Sequence, residues 1–231
     1  MDLTVKEAAK LLDVSDDIVF DWIRDRNLPA YRIKNQFRIN RESAFEWATV
    51  NGIRISPAFI NSTFKNPANM LPTLVESILS GGIYYGLKGE TSQDVLASAV
   101  YVLPLPETVE RKFLLQMLLA RETIGSTGIG EGIAIPHPRN PIVLSIDKPL
   151  VAVLFPEHPI DFNAVDNQPV VVFFLLISPT VRTHLHLLSR IAFTVQNQLV
   201  KKLLHSQESA QELLPALKSA ENGISTPGTK L

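Results

Sequence analysis

One uninterrupted apolar run, Val170–Ile177, most constrains what this 231-residue chain can fold into. A helix needs about 20 apolar residues to cross a bilayer, so this run is far too short to span one and instead predicts a buried strand. The chain is 45% hydrophobic and 19% charged, which is compatible with a sizeable core. The segment Met1–Lys6 lacks the basic start and apolar stretch of a signal peptide. We therefore expect a soluble, cytoplasmic protein without membrane insertion.

The composition excludes several classes of site. Cysteine is absent, which excludes disulfides, thiolate catalysis and zinc sites built on thiolates. The formal net charge is −1, so no overall field attracts nucleic acid or an acidic membrane surface.

The first 50 residues have the pattern of a small, mainly helical unit with a hairpin. Thr4 and Glu7 have the spacing of a capping box, which predicts that a helix begins at Val5. A second helix follows, capped by Ser15 or Asp16. In order, we predict a helix over Val5–Leu12, a helix with Ile18, Val19, Trp22 and Ile23 on its apolar face, a hairpin of residues 31–34 and 36–39 around Asn35, and a helix over Arg41–Trp47.

The pattern changes twice beyond residue 50. Residues 51–68 contain Pro, Asn and Ser without clear periodicity, which predicts a linker. Helix and strand patterns then mix over residues 69–222, and residues 223–231 are predicted to form a flexible tail. Predicted helices cover 71–79, 93–100, 107–121, 180–195 and 208–219, the last interrupted by Pro215; predicted strands cover 133–135, 150–155 and 170–177; residues 125–132 are predicted to form a loop.

The predicted loop leads into a histidine between two prolines. It contains glycines at positions 125, 128, 130 and 132, and a backbone without Cβ atoms lets N–H groups approach an anion closely. It is neither a Walker A loop nor a G-x-G-x-x-G fingerprint, because no Gly-Lys-Ser/Thr follows and position 135 is Ile. Pro136 and Pro138 fix the backbone around His137, whose imidazole can accept a phosphoryl group at nitrogen. A structural histidine in a turn is the alternative.

The segment Arg121–His137 closely resembles the active-site segment of enzyme IIA proteins of the phosphoenolpyruvate:sugar phosphotransferase system, of the fructose/mannitol and nitrogen-regulatory class. A second match lies at Phe173–Pro179 and His184–Ser189, and the resemblance covers roughly residues 69–222. It implies an α/β fold, namely an α/β sandwich with a mixed sheet. It also implies that the histidine carrier protein HPr, or a paralogue, passes a phosphoryl group to this domain, which hands it on or holds it as a signal.

The resemblance implies three catalytic residues: His137 as the phosphoryl acceptor, His184 beside it and Arg121 near it. Arg121 and the backbone of the glycine loop supply donors for the phosphoryl oxygens; the predicted phosphate-binding residues are Thr127, Gly128 and Gly130.

No cofactor and no metal ion are implied. His137, His184 and His186 are possible ligands by residue type, but no carboxylate or cysteine stands at a recognisable ligand spacing. Pro138 departs from the glycine that is common in the family. It removes an N–H and fixes φ, which alters how closely a donor protein can dock. A binding module that has lost phosphorylation is therefore an alternative.

Residues 3–49 resemble the excisionase/MerR-type winged helix-turn-helix, a small, mainly helical domain. The matching segments are Leu3–Ser15, Trp22–Arg24, Leu28–Ile33, Phe37–Ile39 and Phe45–Trp47. This family usually binds DNA, with helix two in the major groove and the hairpin wing on the backbone or minor groove.

Charge makes two interpretations of this domain possible. Residues 1–50 carry eight basic and nine acidic side chains, whereas a DNA-binding domain normally shows a basic footprint. The predicted recognition helix carries Asp16, Asp17, Asp21 and Asp25. The predicted DNA contacts are therefore on the wing: Arg32, Lys34 and Arg38. The alternative is a protein-interaction domain.

Taken together, the sequence predicts a phosphohistidine-carrying regulatory protein that controls transcription or a partner protein. The alternative of a sugar-transport component needs a IIB protein to receive the phosphoryl group. The oligomeric state does not follow from the sequence.

Overall fold

The computed structural model describes residues 2–26, 28–51, 53, 71–139 and 146–223. Proximity of Cα atoms divides the chain into two compact units, Met1–Met70 and Leu71–Leu231. The predicted linker and flexible tail lie almost wholly outside the described residues, so their boundaries stay predictions. No helix in the described ranges is long and apolar enough to cross a membrane.

In its described residues, the first unit combines three helices with a three-stranded antiparallel sheet of order β1-β3-β2. The predicted capping box is confirmed, because Thr4 Oγ1 accepts the Glu7 N–H at 3.2 Å and the Glu7 carboxylate accepts the Thr4 N–H at 2.8 Å. Ser15 occupies the N-cap position of the second helix without a capping hydrogen bond from its side chain. The elements are β1 (Asp2–Thr4), α1 (Val5–Leu12), α2 (Asp16–Asp25), β2 (Tyr31–Ile33), β3 (Gln36–Asn40) and α3 (Arg41–Val50).

The predicted hairpin is also confirmed. Lys34 and Asn35 have φ values of 45° and 65°, and two successive residues with positive φ form the tight turn that matches the twist of paired strands. The turn sets the register, with Ile33 opposite Gln36. Strand β1 was not predicted; it pairs with β3 and brings the buried Leu3 opposite the buried Ile39.

The second unit is a five-stranded mixed sheet between two helical layers, as the resemblance implied. The strand order is β4-β7-β8-β6-β5; β4/β7 and β6/β8 are parallel, whereas β7/β8 and β5/β6 are antiparallel. The elements are α4 (Leu74–Gly81), β4 (Ile83–Leu87), α5 (Ser92–Val102), α6 (Arg111–Glu122), β5 (Gly128–Gly130), β6 (Ile133–Ala134), β7 (Leu150–Pro156), β8 (Val172–Ile177), α7 (Val181–Thr194), α8 (Gln198–His205) and α9 (Ala210–Asn222).

Alternate residues of the central strands enter two separate cores, because successive side chains of a strand point to opposite faces. Ala152 and Leu154 of β7 pack with α5 and α6, whereas Val151 and Val153 pack with α4, α7, α8 and α9. Within the apolar run that predicted a buried strand, β8 begins two residues later than predicted, and all six of its residues are buried.

Several predicted boundaries are wrong. Residues 128–130 are not loop but strand β5, which pairs with β6; a Cβ on Gly128 would lie 2.7 Å from the Ala164 Cβ, so glycine permits this close approach. Helix α6 begins at Arg111 rather than at residue 107, and α9 continues through the exposed Pro215. Strand β4 was not predicted, because Tyr85 and Gly86 are exposed and its apolar alternation is incomplete.

Candidate functional site

His137 lies just beyond β6, on a backbone held from both sides. The Ile135 N–H donates to the Thr127 carbonyl at 3.0 Å, and the Leu176 N–H donates to the Pro136 carbonyl at 2.9 Å. His137 itself is only 3% exposed. The backbone that precedes His137 therefore stays hydrogen-bonded to the adjacent segments after β6 ends.

A backbone contact determines which ring nitrogen of His137 carries the proton. Nδ1 lies 2.7 Å from the Ile135 carbonyl oxygen. A carbonyl can only accept, so Nδ1 must carry the hydrogen and, in the neutral ring, Nε2 carries the lone pair. The Nε2 atom is thus the nucleophilic position of this imidazole.

His184 lies beside His137, as the resemblance implied. The two ring centroids are 4.9 Å apart and the ring planes are inclined by 59°. Helix α7 begins directly after β8, and Thr180 caps it by accepting the Thr183 N–H at 3.1 Å. This places His184 in the first turn of α7, at the helix end where backbone N–H groups favour an anion.

Arg121 is buried in the last turn of α6, with 6% of its surface exposed. Its Nη1 donates to the Gly125 carbonyl at 2.8 Å. The guanidinium is thereby tied to the segment that leads into β5.

The predicted phosphate-binding residues take part in the internal hydrogen bonds of the loop. The Thr127 N–H donates to Glu122 Oε1 at 2.7 Å, and its hydroxyl donates to Glu122 Oε2 at 2.8 Å. The Gly128 N–H donates to Ser126 Oγ at 2.9 Å. Gly130 has a φ of 91°, a conformation that favours glycine. Phosphate binding by Thr127, Gly128 and Gly130 stays a prediction.

Glu122 was not singled out by sequence reasoning. Burial raises the pKa of its carboxyl, an effect that the hydrogen bonds from Thr127 oppose. A signal was present in the chain, because Glu122 follows the predicted catalytic Arg121 and stands five residues before Thr127. Only the turn between them brings the carboxylate to Thr127.

The chain has three further histidines, at positions 158, 186 and 205. His186 is a packing histidine: its Nε2 lies 3.1 Å from the Pro72 carbonyl, and burial, with the nearby charges of Arg190 and Arg182, lowers its pKa to about 4. His158 is exposed in a loop, and His205 is exposed at the end of α8.

The predicted DNA contacts lie on the wing formed by β2 and β3. Arg32 and Lys34 are exposed, and the Arg32 guanidinium lies 4.7 Å from the centre of the Phe37 ring. Arg38 is half-buried and donates to Gln36 and to the Phe37 carbonyl. On α2, Arg24 is paired with two of the aspartates, Asp21 and Asp25.

Comparisons with known proteins agree with both resemblances. Residues 78–220 match the family described as phosphoenolpyruvate-dependent sugar phosphotransferase system, EIIA 2, and residues 3–49 match a helix-turn-helix domain family. A nitrogen regulatory protein of Pseudomonas aeruginosa is 39% identical over 121 residues, which are 52% of this chain and 76% of that protein.

Two further proteins are similar to part of this chain. A fructose-specific EIIA component of Haloferax volcanii is 33% identical over 110 residues, 47% of this chain and 70% of that protein. The crystal structure of the nitrogen regulatory protein IIA-Ntr from Neisseria meningitidis has a TM-score of 0.52 and 28% identity, and the alignment covers 58% of this chain and 92% of that one. The chain therefore belongs to the EIIA 2 family of the phosphoenolpyruvate-dependent sugar phosphotransferase system, with a helix-turn-helix domain ahead of the family's domain.

Proposed function

We propose that the protein is a regulatory phosphocarrier, in which Nε2 of His137 accepts a phosphoryl group from HPr or a paralogous carrier. The observation that carries this proposal is the hydrogen bond between Nδ1 and the Ile135 carbonyl. It leaves the lone pair on the other nitrogen and holds the ring in one orientation. Family membership supports the reaction class.

The proposed step balances without a cofactor. The lone pair on Nε2 attacks phosphorus, and the P–N bond of the donor phosphohistidine breaks, leaving its electron pair on the donor nitrogen. The product ring keeps its Nδ1 hydrogen and becomes positively charged. The Ile135 carbonyl stabilises this charge through the hydrogen bond it already accepts.

Three features of the domain suit the transferred group. Phosphoryl transfer mainly requires positioning and donors around the equatorial oxygens. We assign that role to Arg121, to an N–H of the His184 ring and to the first turn of α7. His184 lies close enough to orient His137 or to donate to a phosphoryl oxygen, given the 4.9 Å between ring centres.

We propose regulation as the main use of the phosphoryl group. The P. aeruginosa relative is named a nitrogen regulatory protein, and a helix-turn-helix domain precedes the phosphocarrier domain. A phosphoryl group adds up to about two negative charges, enough to change how the protein binds DNA or a partner protein. For DNA we assign the contacts to Arg32, Lys34 and Arg38, because the base on α2 is already paired with acids.

Sugar transport is a second candidate, favoured by the likeness to the H. volcanii fructose-specific EIIA component. In that case a IIB protein receives the phosphoryl group from His137. The two candidates share the first transfer and differ only in the second.

The first transfer is tested by incubating the protein with phosphorylated HPr and measuring its intact mass. We expect one added phosphoryl group on the wild type and none on His137→Ala, because the acceptor nitrogen is gone. His158→Ala is the matched control, since His158 is exposed in a loop and is not one of the predicted site residues. An unmodified wild type would overturn the carrier proposal and favour a binding module that has lost phosphorylation. Loss of the label on adding a purified fructose-type IIB domain would favour transport, and retention would favour regulation.

A further inference from the structure

We propose that Glu122 is a positioning residue for phosphoryl transfer: its carboxylate fixes the Thr127 peptide, and through it the Ile135 peptide that orients His137. This inference rests on the proposed phosphorylation of His137 and names a residue that the proposed reaction did not include.

The carboxylate of Glu122 makes two hydrogen bonds to Thr127. Oε1 of Glu122 accepts the Thr127 N–H at 2.7 Å, and Oε2 accepts the Thr127 hydroxyl at 2.8 Å. Two charge-assisted hydrogen bonds to one residue fix both the position and the rotation of its peptide. Thr127 is buried, with 1% of its surface exposed, so water cannot easily replace either bond.

Two backbone contacts connect Thr127 to the ring of His137. The Thr127 carbonyl accepts the Ile135 N–H at 3.0 Å. The carbonyl of the same Ile135 lies 2.7 Å from Nδ1 of His137. Glu122 therefore reaches the imidazole through two backbone groups, and the last contact is the one that keeps the proton on Nδ1.

Further hydrogen bonds hold the turn between α6 and β5. Arg121, the neighbour of Glu122, donates to the Gly125 carbonyl, and Ser126 Oγ donates to the Phe162 carbonyl while accepting the Gly128 N–H. Adjacent residues at the end of α6 thus hold two points of the same short turn. A change at Glu122 releases one of these two points.

The cost of burying Glu122 argues against a role in stability alone. Burial raises the pKa of this carboxyl, which means that the charged form loses solvation. Taking a charged group out of water costs free energy unless hydrogen bonds compensate for it, and here the hydrogen bonds from Thr127 oppose the effect of burial only in part. A carboxylate kept at such a place is better explained by the geometry that it imposes.

The chain offers a matched control outside the site. In the capping box of α5, the Asp94 carboxylate also accepts the N–H and the hydroxyl of one threonine, Thr91, at 3.1 and 2.7 Å. That pair is exposed and belongs to no part of the proposed reaction. Asp94→Asn therefore removes a similar contact without touching the loop.

The experiment measures phosphorylation of the full chain by phosphoramidate, a small donor that needs no docking surface. Its P–N bond breaks as the new bond to Nε2 forms, and ammonia leaves. We expect Glu122→Gln to slow the reaction by ~10-fold to 100-fold, since small misplacements of reacting groups have effects of this size. We expect Asp94→Asn to react at the wild-type rate.

A second readout separates positioning from general weakening of the fold. Nitrogen-15 chemical shifts of the His137 ring report which nitrogen carries the hydrogen. We expect only the Nδ1–H form in neutral wild-type protein, and a mixture of the two forms in Glu122→Gln. Thermal unfolding of every variant shows which of them are folded.

Variants of the partner residue keep the test valid if Glu122→Gln does not fold. Thr127→Val removes the hydroxyl alone and should both slow the reaction and mix the two forms of the His137 ring, whereas Thr127→Ser keeps both donors and should react faster than Thr127→Val. Wild-type rates and a pure Nδ1–H form in folded Glu122→Gln, or equal rates for the two Thr127 variants, would overturn the positioning role. A wild type that phosphoramidate does not modify at His137 would instead overturn the proposed function.

Discussion

Two buried imidazoles of the second unit each lie against one backbone carbonyl, with opposite consequences. His137 uses Nδ1 for the Ile135 carbonyl and keeps the Nε2 lone pair for chemistry. His186 uses Nε2 for the Pro72 carbonyl, in a setting where burial and Arg190 disfavour a positive charge. Under the proposed function, the nitrogen that is bonded and the surroundings of the ring distinguish a buried histidine that reacts from one that only packs.

The lowered pKa of His186 predicts a specific loss of stability in acid. Its pKa is about 4 in the folded protein against an ordinary value of 6.5 for histidine, so between these pH values the unfolded chain binds more protons. The free energy of unfolding should therefore fall as the pH decreases from 6.5 towards 4, and by about 2 kcal/mol between pH 7 and pH 5 from this residue alone.

Urea unfolding at pH 7, 6 and 5 measures this effect. His186→Gln has no titrating ring, so the difference in unfolding free energy between it and the wild type should shrink by the predicted amount as the pH falls. His158→Gln, at an exposed loop position, serves as the control. A constant difference over the whole pH range would contradict the prediction.

At the level of elements, glycines permit two close approaches that hold the second unit together. A Cβ on Gly128 of β5 would meet Ala164, and a Cβ on Gly81, the last residue of α4, would lie 2.3 Å from the Val151 carbonyl oxygen of β7. Glycine is unfavourable inside helices. Its presence at the end of α4 is therefore explained by the packing of that helix against the central strand.

Gly81→Ala should destabilise the protein although it improves the helix propensity. The propensity gain is about 1 kcal/mol, but the new methyl group collides with backbone atoms, and overpacking typically costs about 1–3 kcal/mol or more. We expect a lower midpoint in thermal and urea unfolding. Gly125→Ala is the control: apart from its chain neighbours, none of the residues that the structure describes has an atom within 4 Å of the added Cβ, so little change is expected. Equal stability of Gly81→Ala and wild type would show that the strand moves aside at no cost.

At the scale of the whole molecule, a phosphocarrier fold and a helix-turn-helix occupy one chain, which divides into two compact units. The acidic α2 is poorly suited to phosphates, whereas the wing presents Arg32 and Lys34 at exposed positions. If the protein binds DNA, the salt dependence of binding should therefore depend on the wing.

This prediction is tested with a fluorescently labelled duplex of mixed sequence at several salt concentrations. The double variant Arg32→Ala/Lys34→Ala should bind more weakly and reduce the salt slope by about 2, one for each lost phosphate contact. Lys88→Ala/Lys218→Ala removes two exposed charges from the second unit and should leave the slope unchanged. Phosphorylation at His137 should change the affinity if the two activities are coupled. An unchanged slope in the wing variant would favour the protein-interaction alternative.

The sequence by itself determined the two resemblances, most helices and the hairpin, because capping boxes, periodicity and an ordered motif are local signals. The same motif predicted the site residues Arg121, His137 and His184. Only the tertiary structure decided the rest. It made Gly128–Gly130 a strand, since pairing depends on a distant partner. It assigned the Nδ1 proton of His137 and brought Glu122 to Thr127, since hydrogen bonds depend on where a turn directs its atoms. A local motif predicts which side chains form the site, whereas their protonation and orientation depend on the backbone packed around them.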